Sequence, residues 1–125
     1  MHTPTEERII RPAKNIYGSL RLPGDKSISH RALMFGALAV GETRITGLLE
    51  GEDVLRTVAA MRALGAEVTH DPDGTWRVAG RGVGGLTEPA DVLDMGNSGT
   101  AARLLCGILA SHDLFALTGA ADAIA

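Results

Sequence analysis

Aromatic residues are nearly missing from this chain: one Trp, one Tyr and two Phe in 125 positions. The apolar share is carried instead by Ala, Leu and Val, with many Gly, as in a globular chain and not a disordered or collagenous one. A single cysteine, Cys106, rules out an internal disulfide and a multi-cysteine metal site. It falls in an apolar run, where a buried thiol is expected. The net charge of −3 comes without any basic cluster, which argues against nucleic acid as a partner. Apolar runs long enough to span a bilayer are lacking, as is a signal-peptide core near Met1. A protein of the cytoplasm, handling neither membrane nor nucleic acid, is the expectation.

What is present is 45% apolar residues and 16 glycines, enough for one modest globular domain rich in turns. Residues 1–7 read as a polar arm. Arg8–Arg11 and Asn15–Leu22 alternate as strands. Pro23-Gly24 closes the second, and a helix is expected over Ile28–Ala39, with Asp25 or Ser27 as its cap. A strand over Thr43–Leu49 follows, then an amphipathic helix over Asp53–Leu64 stopped by Gly65. Ala66–His70 and Thr75–Ala79 flank the Asp71–Gly74 turn as a hairpin. Val92–Asp94 leads into Gly96-Asn97-Ser98-Gly99-Thr100, a second helix over Ala101–Ala110, and a strand over Leu114–Thr118. Small residues, Gly119–Ala125, end the chain.

A shift of 72 residues lays Ser27–Gly47 on Gly99–Gly119. Arg31 then meets Arg103, Leu33 meets Leu105, Thr46-Gly47 meets Thr118-Gly119, and Asp25 meets Asn97. Each copy reads as polar loop, apolar helix with an arginine, short strand. The second copy stops where the counterpart of the Asp53 helix should begin, so a truncated repeat is expected.

Both helix starts suit an anion. Lys26 and Arg31 sit beside N–H groups at the positive end of a helix dipole, and Ser27 shares a face with Arg31. In the second loop two glycines allow close backbone approach, and Ser98 or Thr100 can cap. A capped, solvated helix start is the alternative for each loop.

The stretches Leu22-Pro-Gly-Asp-Lys-Ser-Ile-Ser-His-Arg-Ala32, Gly41-Glu-Thr43, Asp53 through Gly65-Ala66, and Gly96-Asn-Ser-Gly-Thr-Ala-x-Arg103 resemble the bacterial 5-enolpyruvylshikimate-3-phosphate synthases over residues 10–119. The family's usual Gly-Asp and basic run are missing at Gly119–Ala125. The Asp-Lys-Ser-x-Ser-x-Arg signature separates this family from the enolpyruvyl transferases acting on a UDP-sugar, which share the fold. The resemblance implies an α/β (α+β) fold of repeated βαβαββ units, one complete and part of a second. Residues 1–21 would pair with a distant lobe, and 22–125 would form a partial lobe, split at about 94/95. It also implies transfer of the enolpyruvyl group of phosphoenolpyruvate to the 5-hydroxyl of shikimate 3-phosphate, without cofactor or metal. By motif match Lys26 is catalytic and touches both substrates. Ser27 and Arg31 hold shikimate 3-phosphate, while Asn97, Gly99 and Thr100 border phosphoenolpyruvate. His30 is expected to be packed scaffold and Arg103 structural; Asp53, Met34 and Met61 are read as cap and core. Full-length members of the family are expected to be monomeric. The 125 residues alone, with the second lobe's groups absent, are expected to be inactive, to act at most as a half-site needing a complementing chain, and to risk self-association.

Overall fold

Regular structure begins at the Pro23-Gly24 break. A computed structural model describes residues 6–120; the start of the polar arm and the end of the small-residue tail lie outside the described residues. α1 (Lys26–Leu38) starts two residues earlier than its apolar run, because the Asp25 carboxylate accepts the Ile28 N–H at 2.8 Å and caps it. β1 (Val40–Ile45), α2 (Glu52–Ala63), β2 (Glu67–His70) and β3 (Trp76–Arg81) follow. α2 ends in a Schellman motif: Gly65, at φ +102°, donates to Arg62, and Ala66 donates to Met61, both at 3.0 Å. The glycine stop read from the sequence is thus in place.

β1, β3 and β2 form an antiparallel sheet in that order, with Val40 opposite Arg81, Ile45 opposite Trp76 and His70 also opposite Trp76. One face of β3, through Trp76 and Val78, is buried against the helices. On β1 and β3 Arg44 stands opposite Arg77, a like-charge pair relieved by Glu42 and Asp71, both of which accept from Arg77. The core draws Leu33, Met34 and Ala37 from α1 and Val54, Val58, Met61 and Leu64 from α2. Each of the larger side chains contributes about 2 kcal/mol by leaving water.

The second unit holds β4 (Leu93–Asp94), α3 (Gly99–Leu109) and β5 (Thr118–Gly119). β4 and β5 pair in parallel, Leu93 with Thr118 and Asp94 with Gly119, so this is a βαβ crossover. The 72-residue shift survives in burial: Ser29 and Leu33 are buried, and so are Ala101 and Leu105. It slips at the cap. α3 is capped by Ser98, whose hydroxyl accepts the Ala101 N–H at 3.2 Å, so Asn97 is not the counterpart of Asp25 there.

The strands expected at Arg8–Arg11 and Asn15–Leu22 do not form. Ile9, Ile10, Ile16, Tyr17, Leu20 and Leu22 are all exposed, and among the described residues nothing pairs with this stretch. Alternation prepares a chain for a ladder, but the ladder needs a second edge. The first unit thus shows αβαββ rather than the full six elements. The last strand is also shorter than Leu114–Thr118, because its partner β4 is only two residues long.

Candidate functional site

α1 and α2 lie side by side and point the same way. Side chains on the two helices match at a constant offset of 27 residues. The Lys26 ammonium donates to the Asp53 carboxylate at the top. One turn down, His30 Nδ1 lies 2.7 Å from Thr57 Oγ1. One turn further, Met34 and Met61 are both buried in the core. Pairs that advance by four on both helices place these residues on facing i, i+4 ridges of parallel helices. The N-termini of α1 and α2 therefore adjoin, and their dipoles add at the level of Lys26.

Asp53 is accordingly not a cap. Gly51 holds the cap position of α2, and Asp53, partly buried in its first turn, holds Lys26 instead. A lysine in the first turn of a helix opposes the dipole, and this carboxylate offsets that cost.

Ser27 and Arg31 stay on the solvent side of α1, where the Arg31 guanidinium donates to the Ser27 carbonyl at 3.2 Å. Ser29 turns inward. Its hydroxyl donates to the Asp25 carbonyl at 2.6 Å and accepts the Leu49 N–H at 3.0 Å, which ties the loop before α2 to the first turn of α1. Below Arg31 a groove of about 320 Å³ separates Met34, Phe35 and Leu38 from Leu104, Ile108 and Ser111, so α1 and α3 share a seam.

The second loop is fixed from α2. Asp94 accepts the Gly96 N–H at 2.8 Å with one carboxylate oxygen and the Arg56 guanidinium at 3.1 Å with the other. Gly96 takes φ +61°, and a Cβ there would sit 3.4 Å from the Arg56 side-chain stem. Asn97 and Thr100 are exposed, and Gly99 opens α3. Gly99 also lines a cleft of about 240 Å³ with Ala102, Arg103, Cys106 and Thr118. Cys106 is exposed there, not buried, because α3 buries only the stripe through Ala101 and Leu105.

The structure thus brings Lys26, Ser27 and Arg31 together on the first turns of α1, and Asn97, Gly99 and Thr100 together at the head of α3. Asp53 and Arg56 complete these two groups and were not singled out by the sequence as site residues. Their contacts span 27 and 38 residues, beyond any local motif.

His30 is fully buried, and its Nε2 meets no partner among the described residues. Burial, then Lys26 and Arg31, hold its pKa below the usual histidine value, with Asp53 opposing. The neutral ring belongs to the fold, as the scaffold reading expects. The unfolded chain takes up a proton near pH 6.5, before folded His30 does, so acidification below about 6.5 costs stability. The Tm of the native sequence should therefore fall more steeply from pH 7.5 to pH 5 than that of His30→Asn. Parallel Tm profiles would show that His30 carries no such linkage.

Repeated units with parallel helices, a β-sheet behind them and cationic side chains at the helix N-termini are the layout of the enolpyruvyl transferase fold. Comparison with known proteins narrows the class. The sequence profile described as EPSP synthase (3-phosphoshikimate 1-carboxyvinyltransferase) matches residues 10–124, and the chain belongs to that family. It is 78% identical over 115 residues to a 3-phosphoshikimate 1-carboxyvinyltransferase of Granulibacter bethesdensis, covering 90% of this chain and 25% of that protein. The corresponding figures for Acidiphilium cryptum are 73% over 113 residues, 90% and 25%. An EPSP synthase structure from Acinetobacter baumannii superposes with a TM-score of 0.77 at 44% identity, covering 85% of this chain and 24% of that one. The chain spans about a quarter of the length of the curated relatives it matches. Among the described residues, no helix is long and apolar enough to cross a membrane.

Proposed function

We propose that this chain supplies one face of an active site that moves the enolpyruvyl group of phosphoenolpyruvate to the 5-hydroxyl of shikimate 3-phosphate. The observation that carries the reading is Lys26, held by Asp53 where the N-termini of α1 and α2 adjoin. Both substrates bring phosphate and carboxylate, and this corner offers N–H groups, two dipoles and a fixed ammonium. Ser27 and Arg31, one turn apart on the exposed face, suit the shikimate phosphate, since an arginine fork grips phosphate bidentately. Asn97, Gly99 and Thr100 suit phosphoenolpyruvate, with Gly99 leaving room for backbone approach.

In the reaction the 5-hydroxyl gives up its proton to a base as its oxygen bonds to C2 of phosphoenolpyruvate, and C3 gains a proton from an acid. The tetrahedral intermediate then loses a C3 proton and phosphate. Lys26 is placed to stabilise charge and to hold a proton between the two substrates. In the relatives about three quarters of the sequence lies outside the region that this chain matches. A half-site that needs a complementing chain is the second reading. It is favoured by the exposed apolar side chains of the 9–22 stretch and by Phe35 and Val40. The arm of residues 1–21 would reach a second lobe, and the enzyme would work in the cytoplasm as a monomer, without cofactor or metal.

The test is a chimera in which residues 10–119 replace their counterpart in the Granulibacter relative. The chimera should form product from both substrates, and the purified 125-residue chain should show no turnover. A folded but inactive chimera would refute the catalytic reading, and turnover by the short chain would refute the half-site.

A further inference from the structure

We propose that Arg56 is a positioning residue, which sets the Asn97–Thr100 loop for phosphoenolpyruvate from the neighbouring unit. The inference rests on the function proposed above.

Arg56 lies on α2 in the first unit, yet its contacts serve the second. Its guanidinium donates to Asp94 at 3.1 Å, and the other Asp94 oxygen accepts the Gly96 N–H at 2.8 Å. The Asp94 carboxylate therefore couples the guanidinium to the backbone of the turn that enters the loop. Gly96 holds φ +61°, a conformation that favours glycine, and a Cβ there would lie in ordinary contact, 3.4 Å, with the stem of Arg56. Met95, between the two coupled residues, is fully buried and anchors the turn from below. Glu52, one turn back on α2, lies 3.6 Å from the guanidinium. Backbone direction at Gly96 decides where Asn97 and the first N–H groups of α3 point. The same α2 that presents Asp53 to Lys26 thus also orients the opposite loop.

Stability has little stake in this pair. The Asp94 side chain is 66% exposed and that of Arg56 39% exposed, and ion pairs so placed add little to folding. A shift of the loop would be felt instead where a ligand must be met to within about an ångström.

The experiment uses the active chimera and measures KM for each substrate. Arg56→Met keeps the stem under Gly96 and removes the guanidinium. It should raise KM for phosphoenolpyruvate about tenfold and leave that for shikimate 3-phosphate within about twofold. Arg56→Lys, which restores a charge without the fork, should recover to within about threefold of the parent. Asp94→Asn should reproduce the phosphoenolpyruvate effect, and adding it to Arg56→Met should cost less than about a further twofold. Equal rises in both KM values, no rise, or independent additive losses would overturn the proposal. A chimera inactive before any Arg56 substitution would instead refute the catalytic reading on which it rests.

Discussion

Lys26→Met in the chimera is expected to lower kcat/KM by about a thousandfold while leaving Tm nearly unchanged. The two halves of this expectation have separate origins. Lys26 occupies the first position of α1, with its side chain exposed apart from the contact to Asp53. An ion pair open to solvent on one side is worth about 0–1 kcal/mol, so its removal scarcely moves the folding equilibrium. The same ammonium sits where two helix N-termini meet and where two anionic substrates would converge. A donor aimed at developing charge in a closed site is worth about 10²–10³ in rate, and loss of the substrate contacts adds to that. Methionine is the informative replacement because it keeps the length and packing of the stem. A loss smaller than about tenfold would place Lys26 outside the reaction. A large fall in Tm would make its role structural. Asp53→Asn should fall between Lys26→Met and the parent, since it removes the holder of the ammonium but not the ammonium itself.

Which parts of this arrangement the sequence revealed follows the range of the forces involved. The Asp25 cap of α1, the Schellman stop at Gly65 and the 71–75 turn are settled within five residues, and each was legible. The 72-residue repeat was legible too, since Leu33 and Leu105 are buried at matching places. Of the two caps the second loop offered, Ser98 and Thr100, the backbone entering α3 selects Ser98. Asp53 was read as a cap for a related reason: an aspartate near a helix start is equally suited to cap or to pair, and the choice depends on what α1 brings beside it. Cys106 shows how an apolar run misleads about burial when a helix covers only one stripe. The arm strands failed at the longest range. Their alternation is plain in Asn15–Leu22, but strand formation depends on an edge that these residues do not themselves carry.

The largest effect on folding is expected from Gly80→Ala, a change that touches neither the Lys26 turn nor the Asn97–Thr100 loop. β3 is the central strand, with β1 on one side and β2 on the other, and Gly80 pairs with Gly41 in the ladder. The last turn of α1 lies flat across this point. A Cβ at Gly80 would run into the carbonyl oxygens of Ala39 and Gly36, and both obstacles are backbone. Neither side can yield cheaply. The Ala39 carbonyl is already engaged by the Gly82 N–H at 3.1 Å, while Gly36 is itself packed against Val78, where a Cβ would sit only 3.1 Å away. Accommodating one methyl means lifting α1 off the sheet, which loosens Leu33, Met34 and the turn that presents Lys26. A cost of about 3 kcal/mol is expected, at the upper end for overpacking. Gly107→Ala is the matched control. That glycine lies inside α3 with open space around its would-be Cβ, so alanine there should stabilise by about 0.5–1 kcal/mol through helix propensity alone. Urea midpoints of the two variants in the same chimera should move in opposite directions. A midpoint for Gly80→Ala within error of the parent would show that α1 does not rest on β3 at this glycine. In that case the alignment of α1 with α2, and with it the seat of Lys26, would need another support.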